Sequence, residues 1–404
     1  MNVRNFLQWA QTAPTALRVD GAGALARAYL VSDLAPAMKR EAETALAGLL
    51  DDPSPLVRRA LAKVFASAPN APHSIVSALA NDQSDIAAMV LARSPLLSES
   101  ELIDCAAVGD VFSQSAIALR VHVPTGLASA IAEIGACEAL ISLAVNPGAE
   151  LPAFAMRRMI ERFGDDAQLR EALLGRPFLP ASVRVDLVEA TAASLASFVL
   201  DRDWLSPERT RRIMQEARDK ANVVIAASSE DVEGRGGVRM LVGHLRRKAR
   251  LTPSLALRAL LSGNRALFEA TLAELSGVDE EKVAGLTRDF DGAGFAALYA
   301  RAGMPANLLP AYRAALEAQR AFGYGAAASG ARLSLARLSL AMVQRVLTSC
   351  DEINSGELDR LMALLRRFEA EALREDAREV AASLANGAPF VDMAALEAQL
   401  LEAA

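Results

Sequence analysis

The chain reads as all-α: an α-solenoid of short stacked helix pairs, followed by a C-terminal helical domain. Three observations predict this. The stretch Asp51-Asp52-Pro53-Ser54-Pro55-Leu56-Val57-Arg58-Arg59-Ala60-Leu61-Ala62 returns 30 residues later, in degraded form, as Asn81-Asp82-Gln83-Ser84-Asp85-Ile86-Ala87-Ala88-Met89-Val90-Leu91-Ala92. A turn and helix that recur at a near-constant period mark units that bury their apolar faces against their neighbours. Hydrophobic content is 52% and aromatic content only 5%, so the apolar mass is mostly Ala, Leu and Val. Ala and Leu are strong helix formers, and Ala lets helices approach closely. β-Branched alternation is almost absent, and Val223-Val224-Ile225 sits inside a helical pattern.

Residues 1 to about 48 read as two helices that cap the stack. The repeat block follows, with turns at Asp51-Asp52-Pro53, Asn81-Asp82, Gly109-Asp110, Asn146-Pro147-Gly148 and Gly175-Arg176-Pro177. Short polar side chains there accept hydrogen bonds from the free amides of the next helix, and Pro is tolerated in a first turn. Ala68-Pro69-Asn70-Ala71-Pro72 and Arg93-Ser94-Pro95 separate helices within units. Ser206-Pro207-Glu208 opens a long helix that is expected to end near Ala227, and Ser228 to Gly237 reads as a linker. A basic helix then spans Val238 to Ala249. Leu251-Thr252-Pro253 starts another, Gly263-Asn264 divides it from a helix at 265–275, and further helices follow at 279–290, 293–302 and 306–322. Tyr324 to Gly330 reads as a second break. Helices are expected at 331–349 and at 355–386, the latter with a short seam of Leu358, Leu361, Leu365 and Phe368, and a last one at 391–403. The expected domains are 1–200, 201–322 and 323–404.

In the motif Asp-x-x-x-x-Val-Arg, Asp52 is expected to cap its helix, Val57 to pack inward, and Arg58 or Arg59 to reach a carboxylate or carbonyl of the adjoining unit. Leu56, Ile86 and Leu91 are expected to face the interior. Val183-Arg184 repeats the Val-Arg step. The motif resembles HEAT repeats, and the shorter period with its Pro-Asn-x-Pro linker is also similar to the leucine-rich-variant repeat. Together with Leu251-Thr252-Pro253-Ser254-Leu255-Ala256-Leu257-Arg258-Ala259-Leu260-Leu261-Ser262-Gly263-Asn264, Phe268-Glu269-Ala270-Thr271-Leu272-Ala273 and Leu298-Tyr299-Ala300-Arg301-Ala302-Gly303-Met304-Pro305, the layout resembles a bacterial domain-of-unknown-function family over about 40–320. That resemblance implies a bacterial, helical, cytoplasmic protein and implies no chemistry.

Net charge is −6, which argues against bulk nucleic-acid binding. Cys105, Cys137 and Cys350 form no CxxC pair and suit free thiols in a reducing compartment. The start of the chain lacks a signal-peptide pattern, and no apolar run is long enough to span a membrane, so a cytoplasmic location is expected. His73, His122 and His244 are too dispersed for a local metal site, and no Gly-x-Ser-x-Gly elbow is present. Asp165-Asp166 and Glu280-Glu281 fall at helix starts, where carboxylates match the dipole. No catalytic residue, metal site or cofactor is expected.

One segment stands apart. Between 201 and 258 there are thirteen Lys and Arg against eight Asp and Glu, so this stretch carries +5 and the rest of the chain −11. Gly234-Arg235-Gly236-Gly237 before a helix has the free amides and positive end that could cradle a phosphate, but lacks a Gly-Lys-Ser/Thr and a preceding strand. The expected function is a non-catalytic, regulatory scaffold for protein–protein interaction. The alternative is an anion-binding regulator that contacts a nucleotide, second messenger or nucleic acid through Arg235, Arg239, Arg246, Arg247, Lys248 and Arg250. A nucleic-acid enzyme of HEAT type would want more aromatic side chains than Trp9 and Trp204 supply.

Overall fold

A computed structural model of the chain describes residues 3–33, 35–329, 335–351 and 359–385. All regular structure in these residues is helical, apart from one isolated parallel bridge between Val123 and Ala149. The chain divides into two compact units, Met1–Asp203 and Trp204–Ala404.

The first unit holds α1 (Val3–Thr12), α2 (Thr15–Val31), α3 (Pro36–Gly48), α4 (Pro55–Phe65), α5 (His73–Ala80), α6 (Ser84–Leu91), α7 (Glu99–Val108), α8 (Val111–Ala118), α9 (Thr125–Ile134), α10 (Cys137–Val145), α11 (Ala153–Phe163), α12 (Ala167–Leu174) and α13 (Ala181–Leu200). Helices pack on the helix two places on. One row runs α2, α4, α6, α8, α10, α12, and a second includes α7, α9, α11, α13. This order is compatible with the stacked repeats that the periodicity predicts. A continuous core of Ala, Leu, Ile and Val runs through the unit, from Phe6 to Leu187.

The repeat alignment needs one correction. Val57, Leu61, Ile86 and Leu91 are buried, but Leu56 is 51% exposed. The two aspartates stand 30 residues apart, whereas the helices that follow start 29 apart, at Pro55 and Ser84. The second unit is therefore one residue shorter between its aspartate and its helix, and Ile86 matches Val57 rather than Leu56. Asp52 is also not the helix cap, since Ser54 holds that position. Asp52 instead accepts a hydrogen bond from the Ser54 amide (2.8 Å) and forms a bidentate pair with Arg18 (2.8 and 3.0 Å).

The second unit holds α14 (Pro207–Arg247), α15 (Pro253–Leu261), α16 (Arg265–Ser276), α17 (Glu280–Arg288), α18 (Ala293–Arg301), a 3-10 turn at Ala306–Leu308, α19 (Leu309–Ser329), α20 (Leu335–Asp351) and α21 (Asp359–Ala385). Its aromatic core centres on Tyr312, which meets Tyr299 edge-on (5.2 Å) and Phe268 face-on (5.8 Å). The two tyrosine hydroxyls donate to the Pro305 carbonyl (2.8 Å) and the Pro253 carbonyl (2.5 Å), tying both ends of the unit's turn segments to that core.

One expected break is narrower than expected and another is absent. The stretch 228–237 is helical on both sides of a single non-helical residue, Gly234 (φ 63, ψ −157), a conformation open essentially to glycine alone. The sharp bend needs that one residue, not a ten-residue linker. Likewise α19 runs through Tyr324 to Ser329, so the expected domain boundary at 322/323 falls inside a helix. α19 packs on α20 and α20 on α21, which joins the C-terminal helices to the same unit. Of the expected seam, Leu365 and Phe368 are buried, while the side chains of Leu358 and Leu361 and the whole helix expected at 391–403 lie outside the description.

Candidate functional site

In the first unit, arginine and asparagine side chains stitch helices that lie about 25–30 residues apart in sequence. Arg58 donates to both oxygens of Asp82 (2.6 and 2.9 Å) and to the Asp52 carbonyl (2.7 Å), and Ser84 donates to Asp110 (2.5 Å). Further along, Arg158 pairs with Glu133 (2.7 Å), and several other partners are backbone carbonyls. Arg120 donates to the carbonyls of Leu91 and Ser94, Asn146 to those of Ala118 (2.8 Å) and Arg120 (2.7 Å), and Arg176 to those of Ala144, Asn146 and Ala149 (2.7–3.1 Å). These are the carbonyls that a helix C-terminus leaves without intrahelical partners. Burial pushes the proton affinity of Arg120 and Arg176 down, and the oxygens around each fork offset that cost. Gly148 is required for this close packing, because a Cβ there would lie 1.9 Å from the Val121 carbonyl oxygen.

The same bonds set the C-terminal ends of α8, α10 and α12 side by side. Exposed apolar residues flank every clamp: Leu119 and Val121 beside Arg120, Val145 beside Asn146, Leu174 and Phe178 beside Arg176. Val121 is 95% exposed and Phe178 98%. Phe178 also has a positive φ of 56°, which costs a non-glycine residue about 1–2 kcal/mol. A large side chain held in a strained conformation and pointed into water contributes nothing to its own unit's packing.

The basic arm of α14 carries the predicted anion ligands. Arg235, Arg239 and Arg246 share one helical face, while Arg247 stands about 100° further round. Arg246 is already engaged: it donates to the carbonyl and the carboxylate of Glu274 (3.0 Å to Oε1). Arg235 lies in a shallow recess beside Glu269 and Glu280. Arg239, Arg247 and Lys248 are exposed, and Arg250 is half-buried at the turn after the helix. The six cations thus do not converge on one point, and acids of α16 and α17 face two of them.

A tighter charged cluster, which the sequence reading passed over, lies between α14, α15 and α21. Arg258 is 8% exposed, donates to Glu371 (2.8 Å) and stacks on Phe368 (4.1 Å). Lys220 meets the same carboxylate (2.8 Å), and Arg367 meets Glu216 (2.8 Å). Asp219, fully buried nearby, accepts from Gln215 (2.8 Å). Burial pushes its carboxyl up to about 6, against the pull of the Ser254 hydroxyl, Arg258 and Gln215. Two clefts flank the cluster, of about 520 and 470 Å³. The available signal was Arg258 itself, a lone cation inside the apolar helix Leu255–Leu261, which buries every residue.

Elsewhere the polar residues do structural work. Asp110, Asp166, Thr252 and Asn264 cap helices, and Asp279 does so ahead of Glu280-Glu281. His73 pairs with Glu101 (3.2 Å), His122 is exposed and His244 buried. Burial pushes the thiols of Cys105 and Cys137 up, away from reactive thiolate character. Among the described residues no three His, Cys, Asp or Glu side chains are grouped to hold a metal ion, and no helix is long and apolar enough to cross a membrane.

The sequence matches the family described as "Uncharacterised protein conserved in bacteria (DUF2336)" over residues 86–354, two thirds of the chain. The chain belongs to this family. Neither a curated protein nor a solved structure matches the chain. The DUF2336 match begins within the repeats and extends through α20, so it spans the clamps at Arg120, Asn146 and Arg176 as well as Arg258. It starts later and ends later than the 40–320 span of the resemblance. Within it, the segments Leu251–Asn264 and Leu298–Pro305 supply caps and core tethers: Thr252 and Asn264 cap, and Pro253 and Pro305 accept the tyrosine hydroxyls. Their distinctiveness reflects the fold of the second unit, with Arg258 as the exception.

Proposed function

We propose that the protein is a non-catalytic helical-repeat scaffold that docks a protein partner, in a regulatory role within the reducing cytoplasm of a bacterium. The observation that carries this reading is the apolar edge of Leu119, Val121, Val145, Leu174 and Phe178, one layer per repeat, with Phe178 held out at a positive φ. Exposed apolar side chains gathered at neighbouring helix ends favour association, and a large aromatic anchor is the commonest centre of binding energy. The positive φ of Phe178, which holds its ring out into water, supports the same conclusion.

The anion-binding alternative on Arg235, Arg239, Arg246, Arg247, Lys248 and Arg250 takes second place, because Arg246 is committed to Glu274 and Arg235 sits beside Glu269 and Glu280. The test is site-specific photo-crosslinking in cells, with the photoreactive residue at Phe178, at Val145 and at the control position Asp20. The reading expects one common adduct from positions 178 and 145 that is absent from position 20. Identical adduct patterns from all three positions, or none at all, would reject it.

A further inference from the structure

The two clefts of the second unit differ in character and share a wall. The larger lies against Val223, Leu261, Val343 and Phe368, and the smaller carries Arg367, Arg374 and Arg378. Lys220, Arg258, Glu371 and Glu375 line both, so the Lys220–Glu371–Arg258 ion-pair chain separates an apolar compartment from a cationic one. One buried donor in this wall has no hydrogen-bond partner: Nε of Arg258, on a residue that is 8% exposed and lines both clefts. A buried donor left without an acceptor is costly, and this one seeks an oxygen. Across the two clefts five cations face four carboxylates, an excess of one positive charge.

We infer that these adjoining clefts bind an amphipathic anion of low charge, with its apolar chain against Phe368 and Val343 and its oxyanion head at Arg258 in the shared wall, on the side of Lys220, Arg374 and Arg378. Each volume suits part of a small-molecule ligand, since such sites enclose roughly 300–1,000 Å³ of mostly apolar surface with a few convergent polar groups. A multiply charged nucleotide fits worse, because Glu216, Glu230, Glu371 and Glu375 face the same space. The head can be a carboxylate or a phosphate monoester. Both offer acceptors to guanidinium donors.

The test is titration calorimetry on the full chain, below micelle-forming concentration, with dodecanoate, dodecyl phosphate, dodecanol, dodecylammonium and butyrate. Dodecanoate or dodecyl phosphate is expected to bind at least about tenfold more tightly than the other three, and the tighter of the two identifies the head group. Two variants at exposed positions separate the compartments without threatening the fold. Arg374→Glu should weaken the anionic amphiphile by about five- to tenfold and leave dodecanol unchanged. Val224→Trp, which fills the rim of the apolar cleft, should weaken both. Equal binding of dodecanoate and dodecylammonium would overturn the proposal, as would unchanged dodecanoate and dodecyl phosphate affinity in Val224→Trp with an unaltered melting temperature.

Discussion

Replacing Asp219 with asparagine should stabilise the second unit at neutral pH and have little effect near pH 4. Asp219 is 1% exposed, and burial lifts its carboxyl from the ordinary 3.8 to about 6. The folded chain therefore holds this proton more tightly than the unfolded chain does. Stability from the protonated form is fully present below about pH 4 and is lost as pH rises through 6. Two pKa units correspond to about 3 kcal/mol of destabilisation above pH 7. Asparagine mimics the protonated acid in shape, keeps an acceptor for Gln215 and carries no charge to desolvate. For a unit of this size, about 3 kcal/mol raises the melting temperature by roughly 6–12 °C at pH 7.5. Scanning calorimetry of the full chain at pH 4.0 and 7.5 measures the difference. A variant less stable than wild type at pH 7.5 would refute the argument, because the ionised carboxylate would then be a net stabiliser, and a gain that is the same at both pH values would refute it too, because the gain would then not depend on titration of Asp219.

Two further outcomes test the first unit. Leu61→Ala removes a fully buried side chain from the seam between repeats and should cost about 2–5 kcal/mol in urea unfolding, and an unchanged midpoint would place Leu61 outside the core. Arg176→Ala strips the partner from the carbonyls of Ala144, Asn146 and Ala149 and should cost about 1–3 kcal/mol, with faster amide exchange around 144–149. Arg176→Lys should recover only part of this, because a single ammonium cannot span all three oxygens.

The helical class and most helix starts are legible in the sequence, because caps such as Ser206, Thr252 and Asn264 act through amides two or three residues away. The slip at Leu56 arose because a one-residue deletion between turn and helix preserves the aspartate while rotating the helix face by about 100°. The expected linker at 228–237 contracts to the single residue Gly234 for a different reason. Each helical glycine costs about 1 kcal/mol, which packing of Val238, Leu241, Val242 and Leu245 readily outweighs. The paired clefts were out of reach of any local pattern. Arg258 and Glu371 are 113 residues apart, and only the packing of distant helices brings them together.

The stitching between repeats changes its chemistry along the first unit. At the N-terminal end Arg18 and Arg58 meet the carboxylates of Asp52 and Asp82, whereas Arg120, Asn146 and Arg176 meet peptide oxygens, with the more exposed Arg158–Glu133 pair among them. Burial pushes the Asp52 carboxyl up, but the hydrogen bonds from Arg18 and Ser54 and the charges of Arg18 and Arg58 outweigh it, so the group sits below its ordinary value. Its contribution is present above pH 3.8 and disappears as pH falls through that lower value. Peptide oxygens do not titrate. Acid should therefore open the Arg18–Asp52 clasp while the bonds from Arg120, Asn146 and Arg176 to peptide oxygens stay fastened, so that one unit holds both a proton-sensitive clasp and a set of links that pH leaves alone.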